Sequence, residues 1–361
     1  MDTGHQPSLS PEEERSTSNR ETAEVITVTE PEGPEEESAT RKEPSGTPFR
    51  ESLRRLRKDK RAMASLFVII LFIILPLVGP PIYQHIGGPY NSDTYGVIGP
   101  EVYHNPTHQE LSRQDEGLSA QYWLGTDAVG RDMFARMMQG MLISLVVAIM
   151  VEIVTVVLGL TVGILAGYFG GWIDQLLARF TDIIFAFPGL LFAILLTGIF
   201  GSYADNFFGK VPLIGGNGQA RLLLVSLALA TVGWPLMARF ARGQTLQLKQ
   251  QQFVEAARTA GTSHFLIIIR HILPNLLSII LVASTLDISN TIVGEASLSY
   301  LGLGVQQPSS SIGLMISGAS SQLASYPWEV LLPIIVLTLI VLAFSFLGDG
   351  LRDAFDPRTK D

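Results

Sequence analysis

The sequence predicts an all-α, multi-pass membrane protein with six transmembrane helices. Three observations carry that prediction. The chain is 47% hydrophobic and only 16% charged, where a soluble protein carries about a quarter charged residues. Six uncharged or nearly uncharged apolar segments are each long enough to cross a ~30 Å hydrocarbon layer. The basic residues between them are distributed as a membrane topology requires.

A signal peptide is not expected at the N-terminus, because the stretch is acidic and the first apolar run starts late. Residues 1–40 hold eleven acids and two Arg, and residues 41–61 hold nine Lys or Arg and three acids. Residues 1–48, rich in Glu, Ser, Thr and Pro, cannot bury enough apolar area to offset their ordering entropy and read as a disordered acidic tail. The stretch 49–61, FRESLRRLRKDKR, reads as a basic juxtamembrane segment.

The first span is Ala62–Tyr83, with LFVIILFIIL at its centre. An extracytoplasmic segment, 84–140, follows. The second span is Met141–Tyr168 and the third Phe180–Phe200, with Pro188 inside. The fourth is Leu222–Ala238, the fifth Leu276–Gly294 and the sixth Val330–Gly348, before a tail at 350–361. With both termini cytoplasmic, the inner segments hold eighteen Lys or Arg and the outer ones five. Tyr326 and Trp328 stand where an interfacial aromatic anchor belongs.

Between spans four and five lies EAARTAGTSHFLIIIRHILPN, Glu255–Asn275. Its first half has good helix formers, and Gly261 fits the position just past a helix end. Thr262 or Ser263 can cap a second helix, which Pro274 should interrupt. Ala256, Ala257 and Ala260 give one side little bulk, so a neighbour can approach closely. Glu255 and Arg258, three apart, can pair with each other or with a partner. Such a helix is too short to span and suits a groove on a soluble protein; a plain surface turn fits the spacing equally well. A helix-turn-helix DNA reader does not fit, because FLIII would fill the recognition helix and no basic face exists.

This stretch resembles the EAA loop, here about 249–275, of inner-membrane permease subunits of binding-protein-dependent ABC importers. LGTDAVGRDMFARMMQGMLISL (124–145), EASLSYLGLG (295–304) and LGDGLRDAFDPR (347–358) resemble the C-type subunit of the oligopeptide/dipeptide systems. The resemblance covers about residues 50–358 and implies the type I ABC importer permease fold over 141–349. It implies that Glu255, Ala256, Ala257, Arg258, Gly261 and Pro274 form a coupling segment against a cytoplasmic ATPase. It further implies a second homologous permease, two cytoplasmic ATPase subunits and an extracytoplasmic substrate-binding protein as partners, and import by alternating access. Peptides are the substrate class it implies first; nickel, glutathione and other small solutes are carried by related systems.

The chain has no catalytic motif. The Gly209-Lys210 pair is followed by Val211, so there is no phosphate-binding P-loop and ATP belongs to a partner polypeptide. No G-x-S-x-G or H-E-x-x-H occurs, and with no Cys, thiolate metal sites are excluded. Pro106 stands between His104 and His108 and disfavours the helix that would align them as ligands. No cofactor, metal or nucleic acid is expected.

Acids inside spans are costly in lipid and should face protein or water. Glu152 lies near the middle of span two and Asp287 inside span five. Ser284, Asp287, Asn290, Gly294 and Ser297 recur at helical spacing on one face. The stripe reads as pathway lining or as a subunit interface. Asp182 should be interfacial or paired with Arg179. A stand-alone secondary transporter, with Glu152 or Asp287 as proton site, is the alternative in another class; it leaves the EAA segment without a purpose. A non-transporting membrane scaffold is a third class.

Overall fold

The computed structural model describes residues 48–87, 97–98, 104–208 and 220–355. The acidic tail expected at 1–48, apart from Pro48, and the last six residues lie outside these. Among the described residues, six helices are long and apolar enough to cross a membrane.

α1 (Pro48–Lys58) and α2 (Lys60–Gly87) open the described chain. Leu56 and Ala62 pack with Leu351 and Ala354 at the far end of α11 (Pro327–Phe355). α2 continues along α11 and contributes Ile69 and Phe72 to the main apolar cluster. A short antiparallel pair, β1 (Val97–Ile98) with β2 (Gln109–Glu110), belongs to the segment between the first two spans.

α3 (Met133–Phe169) has 37 residues, about 55 Å of helix, more than a hydrocarbon layer requires. It starts eight residues before the expected Met141. Asp132 caps it, its carboxylate accepting from the backbone N–H of Phe134 and Ala135. Met133, Met137 and Met138 are buried in its first turns.

The expected third span, Phe180–Phe200, is corrected. The chain forms α4 (Gly171–Phe185), breaks at Ala186–Pro188, and crosses as α5 (Gly189–Phe208). Pro188 restricts the residue before it and starts the next helix rather than sitting within one. Asp182 does not pair with Arg179; its carboxylate accepts from Arg239 at 2.7 Å. The i−3 neighbour loses to an arginine on α6 (Leu222–Leu248).

α6 packs along α3 through Gly159, Gly163 and Gly167, one per turn. A Cβ on these would meet Met237, Ala238 and Ala241, and Thr245. Small residues at this spacing let membrane helices approach closely where no hydrophobic force drives them together. One Arg–Asp pair and a lysine tie the same end: Arg242 donates to Asp174 of α4 at 2.5 and 2.8 Å, and Lys249 Nζ to the Gly167 carbonyl of α3 at 2.7 Å. The Arg242 guanidinium holds the Asp174 carboxyl below the usual carboxylate range.

Pro274 does not interrupt the fifth span, another correction. α8 (His264–Ile267) runs through a π-turn at Ile268–Ile272 into α9 (Leu273–Tyr300), and His264–Tyr300 crosses as one 37-residue helix. The widened turn accommodates the proline ring and its missing N–H. Asn275 Nδ2 donates to the His271 carbonyl at 2.6 Å within that turn. α10 (Ile312–Ala319) packs on α9 before α11 closes the main cluster with Ile340 and Phe344.

Candidate functional site

The predicted coupling segment folds as α7 (Gln252–Thr259) and the turn after it. Only Val254 of α7 is buried, in a cluster with Ile164 and Tyr168 of α3 and Ile272 and Leu276 beyond. That one anchor leaves Glu255, Ala256 and Arg258 exposed and Ala257 half-buried. Neither Glu255 nor Arg258 forms an ion pair among the described residues, so of the two alternatives the pairing with each other is not formed. Gly261 has φ +77°. Its N–H donates to Arg258 O and that of Thr262 to Ala257 O, at 3.0 and 3.1 Å. This is a Schellman closure, which needs a residue free to adopt the left-handed region. His264 Nδ1 lies 2.8 Å from the Tyr168 hydroxyl and fixes the turn to the end of α3. Phe253 of α7 and Phe265 of α8 are both exposed. Pro274 is exposed and lies two turns further on.

The polar stripe of α9 divides. Ser284 and Asp287 meet Glu152 of α3. Asn290 stands with Asp287 on a cavity of about 250 Å³ between α6 and α9. Gly294 packs against Leu229, 3.1 Å from where its Cβ would stand. Ser297 donates to the Val293 carbonyl of its own helix at 2.7 Å. The lower half of the stripe therefore joins an acid cluster, and the upper half is helix packing.

Sequence reasoning missed Glu295. It is fully buried, and Ser144 and Ser299 donate to its two carboxyl oxygens at 2.6 and 2.7 Å. Ending span five at Gly294 put Glu295 in a loop, so the test applied to Glu152 was never applied to it. The EASLSY motif is thus a polar clamp between α3 and α9. Replacing Glu295 with Leu leaves both buried hydroxyls without their acceptor, a loss of about 1–3 kcal/mol. Thermal unfolding of the purified protein should fall by several degrees, and Glu295→Gln should recover most of it; equal melting of the Leu variant and parent would refute the clamp.

The motif at 124–145 has a comparable account. Asp127 accepts from Arg131 at 2.7 Å and lies 3.5 Å from Arg136. Gly130, φ +72°, presses so closely on the Glu110 carbonyl that a Cβ would stand 1.9 Å from it. The motif builds the clasp that starts α3. His104 Nδ1 lies 2.6 Å from Asp132 Oδ2, so His104 belongs to this clasp rather than to a metal pair with His108. Among the described residues, no three His, Asp or Glu side chains cluster as metal ligands.

Comparison with known proteins places the chain in a family. Residues 159–361 match the model of the binding-protein-dependent transport system inner membrane component, and residues 47–108 that of the N-terminal TM domain of oligopeptide transport permease C. The glutathione transport system permease protein GsiD of Shigella dysenteriae serotype 1 is 38% identical over 315 residues, 87% of this chain and 92% of its own. Its counterpart in Shigella flexneri serotype 5b is 40% identical, and that of Escherichia coli O157:H7 38%, over the same shares of each chain.

Proposed function

The chain belongs to the binding-protein-dependent transport inner membrane permeases of the oligopeptide permease C type, and from that membership we propose that it forms half the translocation pathway of an ATP-driven importer of small peptides. As a multi-pass inner membrane subunit of an ABC transporter it is non-catalytic, and ATPase and binding-protein partners supply hydrolysis and substrate capture. A second, related permease completes the pathway, and two ATPase subunits dock from the cytoplasm, where both termini of this chain lie.

The observation that carries the coupling role is α7. It is eight residues long, held by buried Val254 with half-buried Ala257 packed on the same cluster, and offers Glu255, Ala256 and Arg258 outward. Exposed Phe253 and Phe265 beside it suit a protein groove. Glu255 contacts the ATPase, Ala256 and Ala257 permit close approach, and Gly261 makes the turn that sets the angle of α7. α8 and α9 form one continuous helix, joined to α7 through the turn at Gly261, so a push on α7 moves the segment carrying Ser284, Asp287 and Asn290. The peptide class is supported by the oligopeptide-type N-terminal domain and by relatives named for glutathione, itself a tripeptide.

The test is reconstitution of the chain with its partner permease, ATPases and binding protein in vesicles. Di- and tripeptides, glutathione included, should enter only with ATP inside reach of the ATPases and with the binding protein present. Uptake by this chain alone, or a complex that moves nickel but no peptide, defeats the proposal.

A further inference from the structure

Coupling leaves one buried feature unused. Glu152 is 9% exposed and Thr155 1%. Glu152 Oε1 and Oε2 and Thr155 Oγ1 are buried without a partner at hydrogen-bond geometry. Thr155 of α3 faces Asp287 of α9 across Gly233 of α6, and Glu152 lies one turn before Thr155 on the same face of α3. Gly233 of α6 leaves the gap between them open: its Cβ would stand 3.1 Å from Thr155 Oγ1 and 3.8 Å from Asp287 Oδ2. On its other side Asp287 borders the 250 Å³ cavity walled by Leu236, Met237, Phe240, Leu286 and Asn290.

Two adjacent carboxyl groups inside a membrane call for a positive partner, because burying unpaired charge costs several kcal/mol. The arginines of α6 are engaged elsewhere, Arg239 with Asp182 and Arg242 with Asp174, and Arg136 at the far end of α3 lies against Asp127. Two carboxylates fall short of the six or more oxygens a hard divalent ion takes. An ammonium group suits them, with three donors and no acceptor. The apolar cavity walls suit the carbon atoms attached to it, and the volume fits one terminal residue rather than a whole peptide.

We propose that Glu152 and Asp287 form a cation site on the translocation pathway that receives the ammonium group of the passing substrate, a peptide with a free amino terminus. The assignment rests on the importer reading above.

The chain has no Cys, so Asn290→Cys gives it a single thiol, on the wall of the cavity. The complete complex is labelled with cationic and anionic methanethiosulfonates of similar size, and the mass of this chain is followed. Normalised to their rates with a free thiol in solution, the cationic reagent should react roughly tenfold faster or more. Asp287→Asn and Glu152→Gln, each added to Asn290→Cys, should collapse that preference. A free-amine peptide should slow labelling, and its N-acetylated form should not. Equal rates in the parent, or a preference that persists in both neutral variants, overturn the site. Equal protection by both peptides overturns the ammonium assignment. An unreactive Asn290→Cys together with loss of the complex on Asp287→Asn overturns it in favour of a contact with the partner permease. Glu152→Gln preserves side-chain shape and keeps the test open if Asp287→Asn does not assemble. The labelling preference needs no transport, so failed peptide uptake with the preference intact would defeat the importer reading and leave the cation site standing.

Discussion

Gly163→Val should abolish the assembled protein rather than lower its activity. A Cβ at 163 would lie 2.4 Å from the Ala238 carbonyl oxygen, 2.7 Å from Ala241 Cβ and 2.9 Å from the Arg242 nitrogen. Two of those three atoms are backbone, so no change of rotamer relieves the clash. α3 and α6 must move apart, and separation draws Lys249 away from the Gly167 carbonyl. Overpacking costs about 3 kcal/mol even where side chains can give, against a total stability of about 5–15 kcal/mol. Helix association in lipid has no hydrophobic reserve to absorb it. The yield of monodisperse complex in detergent should fall to about a tenth of the parent or below, by the tenfold-per-1.4 kcal/mol relation. Gly198→Ala is the control, since a Cβ there meets nothing within 4 Å. Parental yield from Gly163→Val would show that α3 and α6 do not depend on this close approach.

Gly261→Val should do the opposite: keep the complex and lose transport. No atom lies within 4 Å of a Cβ at 261, so nothing clashes. The cost is conformational. At φ +77° a side chain is strained, by roughly 1–2 kcal/mol, and a β-branched residue is worse placed than most. The relaxed chain gives up the two closing bonds from Gly261 and Thr262, and α7 leaves its angle. Folding survives, because Val254 still anchors the helix. Peptide-stimulated ATP hydrolysis and uptake should both drop by roughly tenfold or more, since a small misplacement at such a joint is costly. Gly261→Asn, which tolerates the left-handed region, should retain most of both. Undiminished uptake in Gly261→Val would remove the turn from the coupling path.

How much of this was legible beforehand depended on which physical signal each feature uses. Apolar run length is local, and it marked all six spans, though the third was placed nine residues early. The error arose because Phe180–Phe185 is as apolar as the helix after it. Only the break at Pro188 separates them, and its ion pairs with α6 show that α4 does not join the span. The pattern of small residues around Glu255 and the glycine at 261 likewise reported local backbone needs, and α7 with its Schellman turn follows from them.

The sequence by itself determined that this chain is a six-span helical membrane protein with a short helix between its fourth and fifth spans, because burial in lipid and helix termination are decided within one stretch of chain. Which acids meet was decided by the tertiary structure alone. Glu152 and Asp287 are 135 positions apart, and Ser144 and Glu295 151. Their pairing follows from how closely α3, α6 and α9 approach one another. That approach is set by glycines whose partners lie on other helices, and no local pattern records the distance.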